Sequence, residues 1–323
     1  MTGKYFVSID LGGTNIKCCI GDASGHILDR RSCPTRSDEG PEAVIRRMAD
    51  LVNDLTRKNR VKAAAAGIGV PGLCDLERGI TRFLPNLHTQ WRDVPVRKLL
   101  EPAIACPIYL LNDVRLATLG ELTFGHGKGK SRLSMAFFAL GTGVGGGLVL
   151  DGRLRLGPLG AAGELGHQII CPDGARCGCG SRGCLETLCS GPAICANAIR
   201  LMLSGQAPRL FAICEGNTSK VTCETIAEAA RQGDENIISM IHHTARYLGI
   251  AMANVAVMVH PELIVIGGGV SLMGDILLEP AIETMRARVG MLPADSIEVL
   301  PSKLGDQAGA LGGIALAMQK GKV

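Results

Sequence analysis

A two-lobed α/β fold is the architecture the sequence predicts, and three observations carry that expectation. The chain has 323 residues, more than one hydrophobic core serves comfortably, so two lobes of roughly 100–200 residues each are expected, with a cleft between them. It is 46% apolar and 20% charged, with 43 glycines and only six Phe, three Tyr and one Trp, a globular and glycine-punctuated composition, not a disordered one. A succession of paired strands, glycine turn, strand and helix also recurs in the two halves, without the short fixed period of a solenoid.

The elements follow in order. Residues 5–9 and 16–20 flank Leu11-Gly12-Gly13-Thr14 with apolar and β-branched side chains and read as a hairpin with a polar tip. Residues 41–57 place Val44, Met48, Leu51, Val52 and Leu55 near helical spacing. A buried strand is expected at 63–70, a short helix at 96–100, a strand at 107–111, a helix at 115–124 and a strand at 133–140. Residues 141–147 read as a glycine loop leading into a strand at 148–150. A long apolar helix spans 235–259 and feeds a strand at 263–266, a further strand falls at 297–300, and an Ala- and Gly-rich helix at 307–318 closes the pattern.

Several function classes are excluded by composition. The formal charge of +4 is small for this length, and no run of five Lys and Arg occurs, so neither nucleic acid nor an anionic membrane is an expected partner. No apolar run reaches the ~18 residues a spanning helix needs, and no cleavage signal opens the chain, so a cytoplasmic protein is expected. Most of the 13 cysteines, Cys18, Cys19, Cys33, Cys74 and Cys106 among them, lie in apolar segments where a reduced thiol acts as a small hydrophobe. A secreted disulfide framework is not expected. Trp91 and the methionines are read as core or cleft wall, and His242-His243 as helix residues without a ligand set.

Three glycine-rich turns each follow a predicted strand. Asp10-Leu11-Gly12-Gly13-Thr14 offers backbone N–H groups and a hydroxyl to phosphate oxygens, and Asp10 can hold Mg²⁺ through water. The series Gly141-Thr142-Gly143 through Gly147 makes a second phosphate loop, and Gly267, Gly268 and Gly269 let an adenosine lie against backbone. None carries the Walker lysine or the dinucleotide fingerprint. A simple hairpin turn is the alternative for any one of them. Asn112-Asp113 ends a predicted strand, where open α/β sheets place ligands, and Asp113 can take the proton of an attacking hydroxyl in phosphoryl transfer. Its alternative role is the N-cap of the following helix.

Cys177, Cys179 and Cys184, spaced by glycines, bring three thiols together ten residues after His167. One His with three Cys fits a structural, closed Zn²⁺ tetrahedron, with Cys171 as a competing ligand. Glu164, in Glu164-Leu165-Gly166-His167, and Glu186, two residues after Cys184, would join this region, and such acceptors hold sugar hydroxyls.

Together these residues resemble the ROK family, the repressor, ORF and kinase group that includes bacterial glucokinases, fructokinases and N-acetylhexosamine kinases. The resemblance runs over nearly the whole chain, through Asp10 to Thr14, Asn112-Asp113, Gly141 to Gly147, Gly163-Glu164-Leu165-Gly166-His167, Cys177 to Glu186 and Gly267 to Gly269. It implies the actin-like ATPase fold of the ribonuclease H-like and hexokinase superfamily, with a smaller lobe of 1–112 plus 307–323 and a larger one of 113–306 carrying the zinc loop. It implies Asp113 as general base. Asn86, Asn112, Glu164, His167 and Glu186 become sugar contacts, and His167, Cys177, Cys179 and Cys184 the zinc ligands. One departure stands out: after Asp113 the chain reads Val114-Arg115-Leu116, where the family more often has small residues.

The implied activity is an ATP- and Mg²⁺-dependent phosphorylation of the glucose 6-hydroxyl in carbohydrate metabolism and glycolysis, with N-acetylmannosamine or N-acetylglucosamine as alternative acceptors. A homodimer or homotetramer is implied likewise. A sugar-sensing regulator without turnover is the competing class. The family's repressors carry a winged helix before the first phosphate loop, whereas nine residues precede Asp10 here. A zinc-ribbon nucleic-acid binder lacks the basic stripe such binding needs.

Overall fold

The computed structural model describes residues 4–88 and 90–323. The chain runs β1 (Tyr5–Leu11), β2 (Asn15–Asp22), β3 (Ile27–Pro34), α1 (Pro41–Asn59), β4 (Ala63–Val70), β5 (Leu73–Asp75), β6 (Ile80–Phe83), α2 (Val96–Ile104), β7 (Ile108–Asn112) and α3 (Asp113–Thr123). It continues through β8 (Met135–Leu140), β9 (Val144–Leu150), β10 (Arg153–Leu154), α4 (Glu186–Cys189), α5 (Gly191–Leu203), α6 (Pro208–Cys214), α7 (Cys223–Arg231), α8 (Glu235–Val259), β11 (Leu263–Gly267), α9 (Asp275–Arg288), β12 (Glu298–Pro301) and α10 (Ala308–Met318).

The recurrence seen in the sequence is topological. One sheet has the order β3-β2-β1-β4-β7 and the other β10-β9-β8-β11-β12, so each half begins with a meander and continues with two further strands on the far side of its first. In the first sheet β1 to β3 are antiparallel and β1, β4 and β7 parallel, which sends the ends of β1, β4 and β7 to one edge. In the second, β11 lies parallel to both β8 and β12.

Period-two alternation explains the first sheet's two faces. Val7, Ile9 and Leu11 join Val44, Met48, Val52 and Leu55 of α1, Leu100 of α2 and Trp91 in one core, while Phe6, Cys19 and Ala65 meet Leu311, Ile314 and Ala317 of α10 on the other face. β3 had no expectation in the sequence: with Asp29, Arg30 and Arg31 in its middle it is a largely exposed edge strand, the composition by which edges avoid unwanted pairing.

Contacts divide the chain into two compact units, Met1–Arg132 with Leu148–Ala162 and Lys303–Val323, and Leu133–Gly147 with Gly163–Ser302. The expected boundary after Asn112 therefore differs from the observed one, which leaves α3 in the first unit. The reason lies in glycine: a Cβ at Gly312 would overlap the Leu116 carbonyl oxygen, and one at Gly120 the Ala308 carbonyl, so α3 and α10 touch backbone to backbone. All 13 cysteines are free thiols. No helix among the described residues is long and apolar enough to cross a membrane.

Candidate active site

In the first unit the expected residues gather at the C-terminal edge of the parallel strands. Asp10 of β1 pairs with Gly69 of β4, and Val70 with Asn112 of β7. The β1–β2 tip is shaped by the Gly12 N–H donating to the Asn15 carbonyl at 3.0 Å, and Gly13 lies so near the Asn86 carbonyl that a Cβ would stand 2.9 Å from it. Thr35, which sequence reasoning missed, buttresses the tip: its hydroxyl donates to the Gly12 carbonyl at 2.7 Å and its N–H to that of Thr14 at 2.8 Å. Burial pushes the Asp10 carboxyl above its usual range, with the Lys17 ammonium partly opposing. A desolvated carboxylate beside a glycine turn is a fitting partner for a hydrated cation.

The cap of α3 is Asn112, not Asp113. The Asn112 Oδ1 accepts the Val114 and Arg115 N–H groups at 3.0 and 3.2 Å, and Asp113 occupies the first helical turn, with its Oδ1 receiving the Val114 N–H at 2.9 Å. Arg115 adds a third donor to the Asn112 Oδ1 at 3.1 Å. The orientation of the Asn112 amide follows, because an oxygen saturated by three N–H groups leaves Nδ2 as the donor end, which reaches the Gly72 carbonyl at 3.4 Å.

In the second unit only Gly141, Thr142 and Gly143 form a loop. Gly145, Gly146 and Gly147, expected as loop, lie in β9, where the missing side chains admit the next motif: a Cβ at Gly146 would overlap Leu165, and one at Gly166 the Val144 carbonyl. That packing seats Glu164, Leu165, Gly166 and His167 on β9. The loop is closed by the Gly141 N–H to the Gly143 carbonyl at 2.9 Å, and the Gly191 N–H at the start of α5 donates to the Gly141 carbonyl at 2.8 Å.

Glu186 joins the loop to the cysteine cluster. Its Oε2 accepts the Val144 N–H at 3.0 Å, and its Oε1 lies 3.5 Å from the Cys177 Sγ. Glu164 is an exposed residue, and its carbonyl accepts the His167 N–H at 3.0 Å. Gly267 ends β11, and Gly268, with φ 86°, sits against the Leu140 carbonyl at the end of β8; a Cβ at Gly269 or at Gly141 would meet nothing. Open space thus faces both glycines where two parallel strands end.

His167, Cys177, Cys179 and Cys184 bring their ligand atoms within 4.8 Å of one another. Cys171, the competing ligand, is not in this group. The Cys179 and Cys184 sulfurs are 3.7 Å apart, and the His167 Nδ1 is 3.7 Å from the Cys177 Sγ. A tetrahedron with Zn–S bonds of about 2.3 Å has S···S edges of about 3.8 Å. The donor set and its spacing therefore fit a closed zinc site, and Nδ1 toward the cluster leaves Nε2 for another partner.

A model of the ROK family matches residues 6–320. The chain belongs to the ROK family. It is 35% identical to a glucokinase of Halalkalibacterium halodurans over 324 aligned residues, 99% of this chain and 97% of that protein. It is 30% identical to a xylose repressor of Caldicellulosiruptor bescii, covering 97% of this chain and 77% of the repressor. Its fold matches a ROK glucokinase of Streptomyces griseus, solved with glucose and AMPPNP, with TM-score 0.83 and 32% identity over 98% and 99% of the two chains. The fold is the actin-like ATPase fold of this family. In the ROK frame, Asp10, Gly12, Gly13, Thr14, Asn86, Asn112 and Asp113 belong to the first unit, and the remaining expected site residues, Gly141 to Gly269, to the second. Thr35 gave no local signal, because its partner Gly12 is distant in sequence, and Arg115 stood out as a departure whose contact with Ala162 the sequence did not show.

Proposed function

We propose that this ROK protein is an ATP-dependent glucokinase. The observation that carries the reading is the end of β7: capping falls to Asn112, so Asp113 stands in the first turn of α3 and is not its cap. In this reading Asp113 takes the proton of the glucose 6-hydroxyl as that oxygen attacks the γ-phosphorus, and ADP leaves with the bond it breaks. Asn86, the Asn112 Nδ2, Glu164, the His167 Nε2 and Glu186 hold the other hydroxyls. Gly12, Gly13, Thr14, Gly141, Thr142 and Gly143 line the phosphates, and Gly267, Gly268 and Gly269 the adenosine.

Mg²⁺ held through water at Asp10 would neutralise phosphate charge, and Zn²⁺ on His167, Cys177, Cys179 and Cys184 would fix the sugar-binding segment without an open coordination position. A cytoplasmic setting, where ATP is made and thiols stay reduced, suits this reading. Relatives support the glucose assignment: the glucokinases named above are 35% and 32% identical to this chain.

The test is an ADP-release assay with ATP and Mg²⁺ against glucose, mannose, fructose, allose, N-acetylmannosamine and N-acetylglucosamine, with Asp113→Ala as control. Glucose-dependent turnover that the control loses by about 10²-fold or more is expected. Preference for an N-acetylhexosamine would replace glucose as acceptor, and sugar binding without turnover would replace the kinase by a sensor.

A further inference from the structure

Arg115 is 1% exposed and, among the described residues, the one basic side chain that is buried. Burying a guanidinium costs several kcal/mol unless its donors are matched, and an apolar side chain of that size would fill the space without this cost. The donors are matched in a particular way. Nε and Nη2 both reach the Ala162 carbonyl, at 3.1 and 2.8 Å, Nη2 also reaches that of Ala161 at 3.4 Å, and Nη1 reaches the Asn112 Oδ1 at 3.1 Å. The planar fork thus ties the last residue of β7 to the two residues that precede Gly163, with which the Glu164–His167 motif begins. Asn112 in turn donates from Nδ2 to the Gly72 carbonyl at 3.4 Å, after β4.

We propose that Arg115 is a positioning residue for the sugar: its fork locks the Asn112 amide with Oδ1 toward the guanidinium and Nδ2 as the donor end, and fixes the carbonyls of Ala161 and Ala162, setting how tightly the acceptor is held. The inference rests on the sugar-kinase reading. Lysine cannot replace it, because one ammonium does not span the Asn112 oxygen and the Ala162 carbonyl as a planar fork does. Methionine fills the volume and leaves three acceptors without this donor.

Arg115→Met, Arg115→Lys and Asn112→Ala are measured singly, and Asn112→Ala is also combined with Arg115→Met, in steady-state kinetics using whichever sugar the wild type turns over. Arg115→Met and Arg115→Lys are expected to raise KM for the sugar about tenfold while KM for ATP stays within about twofold, the loss expected when one oriented hydrogen bond is misplaced. In the double-mutant cycle the Arg115→Met effect should largely vanish on the Asn112→Ala background. A purely structural role would lower the active fraction and melting temperature with both KM values unchanged, and that result, or full additivity with Asn112→Ala, overturns the proposal. If Arg115→Met is too unstable to assay, Arg115→Lys, which keeps charge and most of the volume, takes its place in the cycle with the same expected outcome. A wild type that neither phosphorylates nor binds a hexose sinks the kinase reading itself, and this inference with it.

Discussion

Two glycines of one loop should respond to alanine in opposite ways. At Gly143 a Cβ would stand 2.5 Å from the Glu186 Oε2, whereas at Gly141 it would meet nothing within 4 Å. Either alanine restricts the unfolded chain, worth about 0.4–1 kcal/mol in favour of the native state where the backbone is compatible. Gly141→Ala has no opposing cost. In Gly143→Ala the Glu186 carboxylate must turn away, and the buried Val144 N–H loses its charged acceptor at 3.0 Å, a loss of about 1.5–3 kcal/mol. The second effect wins, so Gly143→Ala should be less stable than wild type by about 1–2 kcal/mol in urea unfolding. Kinetics should separate the two further. Gly141→Ala places a methyl where phosphate oxygens are proposed to lie and should raise KM for ATP. Gly143→Ala moves Glu186 and should raise KM for glucose by about tenfold or more. Adding Glu186→Gln to Gly143→Ala should cost less than the two single losses combined. Gly143→Ala with wild-type stability and wild-type glucose KM would refute the placement of Glu186 between Val144 and Cys177.

Two further outcomes follow. Cys179→Ala should lower zinc content, measured by emission spectroscopy, together with thermal stability and glucose affinity; a variant with full metal content and unchanged KM removes the zinc assignment. On β3, hydrogen bonds from the Lys58 ammonium and then the Asn59 amide hold the Asp29 carboxyl down at about 2. A depressed carboxyl stabilises the fold above its unfolded value near 4 and loses that contribution as pH falls toward 2. Asp29→Asn should therefore be less stable than wild type at neutral pH, with the difference closing between about pH 4 and pH 2; a pH-independent difference contradicts the linkage.

Most strands and helices at the site were legible, because they are written in local pattern. The hairpin around Gly12-Gly13, the strand before Asn112 and the helix at 235–259 each carry their own periodicity. What local pattern could not supply was contact between segments distant in sequence. Thr35 reaches back to the Gly12 carbonyl and Arg115 forward to Ala162, and nothing in the flanking residues announces either contact, although Arg115 itself stood out. Gly145, Gly146 and Gly147 were misplaced for a related reason. A glycine run argues for a loop until a partner is known that needs the strand bare, and at Gly146 Leu165 is that partner.

The cap of α3 shows how one such contact alters a chemical reading. On sequence alone Asp113 suits both the N-cap and the general base, two roles that can coexist. The structure gives the cap to Asn112, which takes three N–H donors on a single oxygen, two from the helix start and one from Arg115. Two backbone donors would suffice to cap the helix. The third comes from a buried cation whose desolvation must be offset, and capping gives no reason for it. Fixing the direction of Nδ2 does, since an amide free to flip would present an acceptor and a donor by turns, and only the donor complements a hydroxyl lone pair.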